Sequence, residues 1–219
     1  MRFALSIGAG IGLAGLAFAH GDVTPQAIDT SALPEVGEEW LIENPYRADA
    51  EVFAKAIEIG ASGYNSNCAR CHGLGAISGG LAPDLRFLEA EEYGDEWYME
   101  RYIHGYTQNG ITKMPAFGDL LGQEAAWAIR SYVETRPDDA VVEEFADELK
   151  GIRDALAAMD AGADASAERE RLAAIAADIP TLSGSPYSDS VAQQAAMRIE
   201  GGDIAGAVEA LSVGLSAAR

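Results

Sequence analysis

The chain is poor in positive charge. Fifteen Lys and Arg face 35 Asp and Glu across 219 residues, giving a net charge of −20 and an isoelectric point near 4.3. Phosphate backbones are held by basic surfaces, so nucleic acid is excluded as a partner, and a basic protein patch is the natural counterpart. Cysteine is scarcer still, with two residues, and histidine occurs three times. After residue 19 no run is long and apolar enough to span a bilayer, so no membrane insertion is expected of the processed chain. Hydrophobic residues nevertheless make up 48% of the chain, enough for a packed core in one or two domains.

The first 19 residues differ from the rest. Arg2 supplies a short positive region, "FALSIGAGIGLAGL" is apolar, and "AFA" before His20 has the A-x-A form of a cleavage site. The reading is a removed signal peptide over 1–19, with a membrane anchor as its alternative. Export and an acidic, Ala-rich composition place the product in a bacterial periplasm.

Both cysteines and one histidine fall in "NSNCARCHGLGAISGGLAPDL", Asn65–Leu85. Cys68 and Cys71 have the spacing of a redox dithiol, but that use expects a βαβ setting, which is not visible here. A zinc cage would need two histidines, and His72 directly beside a ligand strains a tetrahedral site. C-x-x-C-H is the attachment pattern of a c-type haem. On a helical turn, residues three apart share a face, so both sulfurs reach one porphyrin edge and His72 falls under the iron as proximal ligand. The reading is one covalent haem c.

Three helices surround the motif. "ADAEVFAKAIEIGASGYNSN" repeats Val52, Ala56, Ile59 and Tyr64 at helical spacing. Gly60 in its interior costs about 1 kcal/mol against Ala, which calls for a packing reason. "GDEWYMERYIHGYTQ" forms a second helix, with Asp95 near its positive end. "GQEAAWAIRSYVET" forms a third, carrying Trp127, Ile129 and Tyr132.

Pairing Gly60 and Tyr64 with Ile129 and Tyr132 resembles class I cytochrome c, whose first and last core helices cross near the haem. The resemblance implies an all-α fold over 50–136. It also implies a role for Pro83, which sits where a proline carbonyl of that family accepts the Nδ1–H of the proximal histidine; a plain turn proline is the alternative. For the far side of the iron the candidates are Met99, Met114, Met159, Met197, His20 and His104. Pro115 pushes Met114 toward extended backbone on a loop from which it can reach sideways, so Met114 is assigned. Met99 lies mid-helix among aromatics, where core filling is the better reading. His/Met ligation fills both axial positions and suits electron transfer, so the chain is not expected to be an enzyme.

The likeness goes further over residues 20–136. "HGDVTPQAIDTSALPEVGEEWLIENPYR", the motif segment and "NGITKMPAFGDLLGQEAAWAIRSYVETR" resemble the PedF-type periplasmic cytochromes. This implies a one-electron carrier reduced by a PQQ-dependent alcohol dehydrogenase and oxidised by a downstream cytochrome or oxidase. A c-haem sensor or peroxidase-like protein with a signalling or docking tail is the alternative. An arm over 20–49 precedes the cytochrome domain, and the pattern departs from the family after Arg136. Residues 137–219 contain sixteen acidic and six basic side chains, a net of −10, and no Cys or His. "AVVEEFADELKGIRDALAAMD" and "SAERERLAAIAADI" read as helices, and "SDSVAQQAAMRIEGGDIAGAVEALSVGL" as a helical hairpin turning at "GGD". This acidic helical extension either packs on the core or serves as a docking module.

Overall fold

The structure, a computed structural model, describes residues 25–160 and 162–217. The signal peptide expected over 1–19 and the candidate ligand His20 lie outside them. Asp49 starts helix α1 (Ala50–Asn67), its carboxylate accepting from the amides of Glu51 and Val52. A single turn, α2 (Ala69–His72), follows directly. Helix α3 (Glu92–His104) stops at Gly105, whose φ of +67° an L-residue rarely adopts. Helix α4 (Gly118–Glu134) breaks its regular geometry at Gly122.

Between α3 and α4 the chain forms a small antiparallel hairpin, β1 (Tyr106–Gln108) and β2 (Ile111–Met114). Asn109 and Gly110 turn it with φ of 52° and 74°, the positive pair that a two-residue hairpin needs. The all-α expectation contained no strand here, and the loop assigned to Met114 is the end of β2. The helix expected across "GDEWYMERYIHGYTQ" likewise ends at His104, where the hairpin begins.

Helices α1 and α4 cross at backbone contact. A Cβ on Gly60 would overlap the carbonyl oxygen of Ala128, which is the packing reason for glycine in a helix interior. One turn on, the rings of Tyr64 and Tyr132 meet with centroids 5.2 Å apart. The buried core around this crossing includes Ile57, Met99, Phe117, Trp127 and Val133. Met99 thus fills the core.

The segment before α1 is bonded to the helices along its length. Gln26 and Asn67 exchange two hydrogen bonds, N to Oδ1 at 2.7 Å and Nδ2 to O at 3.1 Å. Gln123 accepts from Leu41 N at 2.6 Å and donates to Glu39 O at 3.0 Å. Arg47 forks onto Asp95 and Glu134 with contacts of 2.6–2.8 Å. Asp95 and Arg130, both with fully buried side chains, pair at 2.7 Å. Asp95 therefore does more than complement the helix dipole: it joins the arm, α3 and α4.

After Arg136 the chain forms α5 (Asp139–Glu144), α6 (Ala146–Ala157), α7 (Ser166–Asp178), α8 (Val191–Glu200) and α9 (Ile204–Ala217). The single helix expected over 140–160 is divided at Phe145, where ψ is 0°. These helices enclose their own apolar cluster, with Leu149, Ile152, Leu172 and Leu211 fully buried. They also bond to the first cluster. Ala90 N donates to Ser183 O at 2.9 Å, Asp189 N to Thr135 O at 2.9 Å, Arg136 pairs with Asp189, and the Tyr187 ring packs edge-on against Phe53.

Removing one member of a buried ion pair strands the other. Asp95→Ala is expected to lower the unfolding free energy by about 3 kcal/mol, because buried Arg130 loses its carboxylate at 2.7 Å and keeps only Glu134 at 3.6 Å. A urea titration reads this as a lower midpoint; an unchanged midpoint contradicts the role given to the network.

Candidate haem-attachment site

The site is built by the C-terminal end of α1. Cys68 N donates to Tyr64 O at 2.8 Å as the last bond of that helix, and Cys68 O accepts from Cys71 N at 3.1 Å and His72 N at 3.0 Å. The whole C-A-R-C-H sequence is thus wound as one turn continuing α1. Gly73 then reverses the chain at φ +84°, where a Cβ would overlap the Ile77 carbonyl oxygen. The Tyr64 hydroxyl donates to Gly73 O at 2.8 Å and fastens this reversal to α1.

Both thiols are free and half-buried. Burial, then the neighbouring Cys71, pushes the Cys68 thiol up to about 12. A low thiolate content does not suit a redox dithiol. Among the described residues no group of three or more His, Cys, Asp or Glu could hold a metal ion, so a zinc cage has no further partners there.

His72 Nδ1 lies 2.9 Å from the carbonyl oxygen of Pro83. A carbonyl only accepts, so this bond places the ring proton on Nδ1 and leaves the Nε2 lone pair for a metal. Burial lowers the imidazole pKa against the opposing effect of the Pro83 bond, which favours the neutral ring. The loop between them is tied internally: Ser78 Oγ donates to Ala82 O at 2.5 Å and accepts from Gly80 N at 2.9 Å.

Met114 is half-buried against the first apolar cluster, at the inner end of β2. Three residues later, Phe117 N donates to Tyr102 O at 2.8 Å, and the two rings lie 5.9 Å apart. Tyr98 stacks on Tyr102 at 5.8 Å. Burial holds both hydroxyls above the ordinary phenol range, so they remain neutral. The remaining candidates lie elsewhere. His104 is exposed at the end of α3, Met159 packs with the second cluster, and Met197 is 44% exposed with its sulfur accepting from the Tyr187 hydroxyl.

The donor set fits a covalent haem. Two free sulfurs sit three residues apart on a turn, a neutral imidazole has one nitrogen committed, and apolar Leu74, Ile77 and Leu81 follow the motif on the surface. The partners of Gly73 O and of Asp95 were missed in the sequence. A tyrosine four residues before the first cysteine was a local signal for the former; Arg47, some fifty positions from Asp95, left none. A cavity of about 1000 Å³ lies in the extension between α6, α7, α8 and α9, lined by Leu156, Ile199 and Val208 among others, away from this chemistry.

Tyr64→Phe leaves the Gly73 carbonyl without its donor and should lower stability by about 1–3 kcal/mol. Denaturant unfolding of the variant checks this, and a midpoint equal to that of the unchanged chain would remove Tyr64 from the site.

Comparison with known proteins bears on the same segment. Residues 55–133 match the family described as cytochrome c oxidase, cbb3-type, subunit III. Cytochrome c550 of Pseudomonas aeruginosa is 57% identical over 127 residues, covering 58% of this chain and 88% of that protein. Quinohemoprotein alcohol dehydrogenase ADH-IIG of Pseudomonas putida is 36% identical over 84 residues, 38% of this chain and 11% of the enzyme. The cbb3-type cytochrome c oxidase subunit FixP of Rhizobium meliloti is 27% identical over 172 residues, 73% of this chain and 55% of that subunit. No solved structure matches.

Proposed function

This chain belongs to the cytochrome c family and is an electron-transfer protein carrying covalent haem c, and we propose that it takes its electrons from a PQQ-dependent alcohol dehydrogenase in the periplasm. Cys68 and Cys71 would hold the haem through thioethers, and His72, oriented by Pro83, and Met114 would ligate its iron. The haem supplies one-electron cycling of its iron. The buried rings of Tyr98, Tyr102 and Phe117 belong to the apolar cluster against which Met114 packs. The observation that carries the assignment is the His72–Pro83 contact, which commits Nδ1 and leaves Nε2 for iron.

The donor assignment rests on likeness to the cytochrome c550 and to a segment of a quinohemoprotein alcohol dehydrogenase. Likeness to FixP points to a haem protein or oxidase as acceptor. The leader over 1–19 supports export, and no helix of the described residues is long and apolar enough to cross a membrane. In this reading residues 50–136 carry the electron, while the arm over 20–49 and the extension over 137–219 supply an acidic field. That field steers a basic donor surface, and salt weakens it over a Debye length of about 8 Å at physiological ionic strength.

Three outcomes test this reading. Cys68→Ala with Cys71→Ala should leave a denaturing gel without haem stain. Met114→Ala should abolish the sulfur–iron charge-transfer band of the oxidised protein and admit carbon monoxide; if Met99→Ala does so instead, the distal assignment is wrong. Neutralising the exposed Glu38, Glu39, Glu143 and Glu144 to Gln should flatten the salt dependence of reduction by the dehydrogenase. Equal salt slopes would remove the steering role.

A further inference from the structure

The turn that carries Pro83 is held from outside the cytochrome segment. Asp84, the next residue, accepts from Arg86 three times: from its backbone N at 3.1 Å, Nε at 3.0 Å and Nη2 at 2.7 Å. Its second oxygen also receives Ser78 N at 3.4 Å, so one carboxylate ties the end of the loop between His72 and Leu85 to its middle. The remaining arm of the guanidinium, Nη1, donates to Asp139 Oδ2 at 2.7 Å. Asp139 is the first residue of α5, in the extension. The Arg86 side chain is 11% exposed and that of Asp84 19% exposed. The fork onto Asp84 is sheltered and planar, and Asp139 is 39% exposed, against a fully exposed carboxylate in the solvated pair of Lys150 and Asp147.

We propose that Arg86 is a positioning residue that couples the docking of the extension to the proximal side of the haem. Asp139 holds Arg86, Arg86 holds Asp84, and Asp84 fixes the turn from which the Pro83 carbonyl accepts the His72 Nδ1–H. The proposal rests on His72 being the iron ligand. Its chemical basis is that a donor bond from Nδ1 makes the imidazole a stronger electron donor and fixes its orientation, so a looser carbonyl weakens both. A bidentate guanidinium fixes a carboxylate in position and plane, which a lysine ammonium does not do. The coupling gives the extension a function independent of partner steering, because a partner that pulls on α5 changes the environment of the iron.

The test uses the haem-loaded full chain in its reduced state. Hydrogen exchange of the His72 Nδ1–H is followed by NMR, with the Trp127 indole N–H, which donates to Gln123 at 3.2 Å, as an internal gauge of global opening. Asp139→Asn should speed His72 exchange about tenfold, the lower end of the effect expected for a group supporting a metal ligand, while Trp127 exchange keeps its rate. Arg86→Gln should speed it more, and Arg86→Lys should fall between Arg86→Gln and the unchanged chain. Asp139→Asn should also raise the midpoint potential, since it removes a negative charge and weakens the donor bond together; Asp147→Asn, the same charge change at a solvated site, should leave it in place. An unaltered His72 rate in Asp139→Asn overturns the coupling, as does a rate that changes only in step with Trp127. If Arg86→Gln does not fold, Asp139→Asn alone decides. Absence of an iron-bound His72 signal in the unchanged chain would instead defeat the ligand assignment, and the coupling with it.

Discussion

The backbone contact between Gly60 and Ala128 is the constraint on which the rest of the structure depends. It draws α1 against α4 closely enough for Tyr64 and Tyr132 to meet one turn further on. Because α1 runs directly into the turn of α2, the crossing fixes where Cys68, Cys71 and His72 lie. The same α4, followed backward past its break at Gly122, leads through Phe117 to Met114. One helix pair therefore sets the positions of the two residues proposed to ligate the iron, although 42 positions separate His72 from Met114 in the sequence.

Local signals were legible in the sequence and distant ones were not. The motif, the helices around it and the need for glycine at position 60 all follow from spacing and from glycine's lack of a Cβ. The hairpin at 106–114 is not anticipated, since its first strand reads as the end of a helix and the rest as loop, although Asn109-Gly110 is a strong turn signal. It was hidden because the flanking strands are short and face solvent, so no alternation of apolar and polar residues marks them. The division of α5 from α6 at Phe145 left no proline or glycine to announce it. The charged network escaped for a different reason: Arg47, Asp95 and the α4 pair of Arg130 and Glu134 are far apart in sequence, and only tertiary packing shows that an acidic, exposed-looking helix start contains a fully buried carboxylate.

The arm and the extension are structural as well as electrostatic. Arg47 completes the buried network, and Gln123 is bonded to two carbonyls and an amide of the arm. On the other side Arg136 lies over the Tyr132 ring at 3.9 Å while pairing with Asp189. The extension thus bears on the ring that packs against Tyr64, and Tyr64 in turn holds Gly73. In the proposed reading their acidity serves long-range attraction, while their contacts bear on the helices that carry the attachment turn. These roles are compatible because exposed carboxylates carry the field, while the paired and buried ones carry the structure.

The central claim is that one iron is held between His72 and Met114. The near-infrared magnetic circular dichroism spectrum of the oxidised full-length protein reports axial ligation directly. The account predicts the charge-transfer signature of low-spin histidine–methionine coordination. A bis-histidine signature, or a high-spin spectrum with one open axial position, would contradict it.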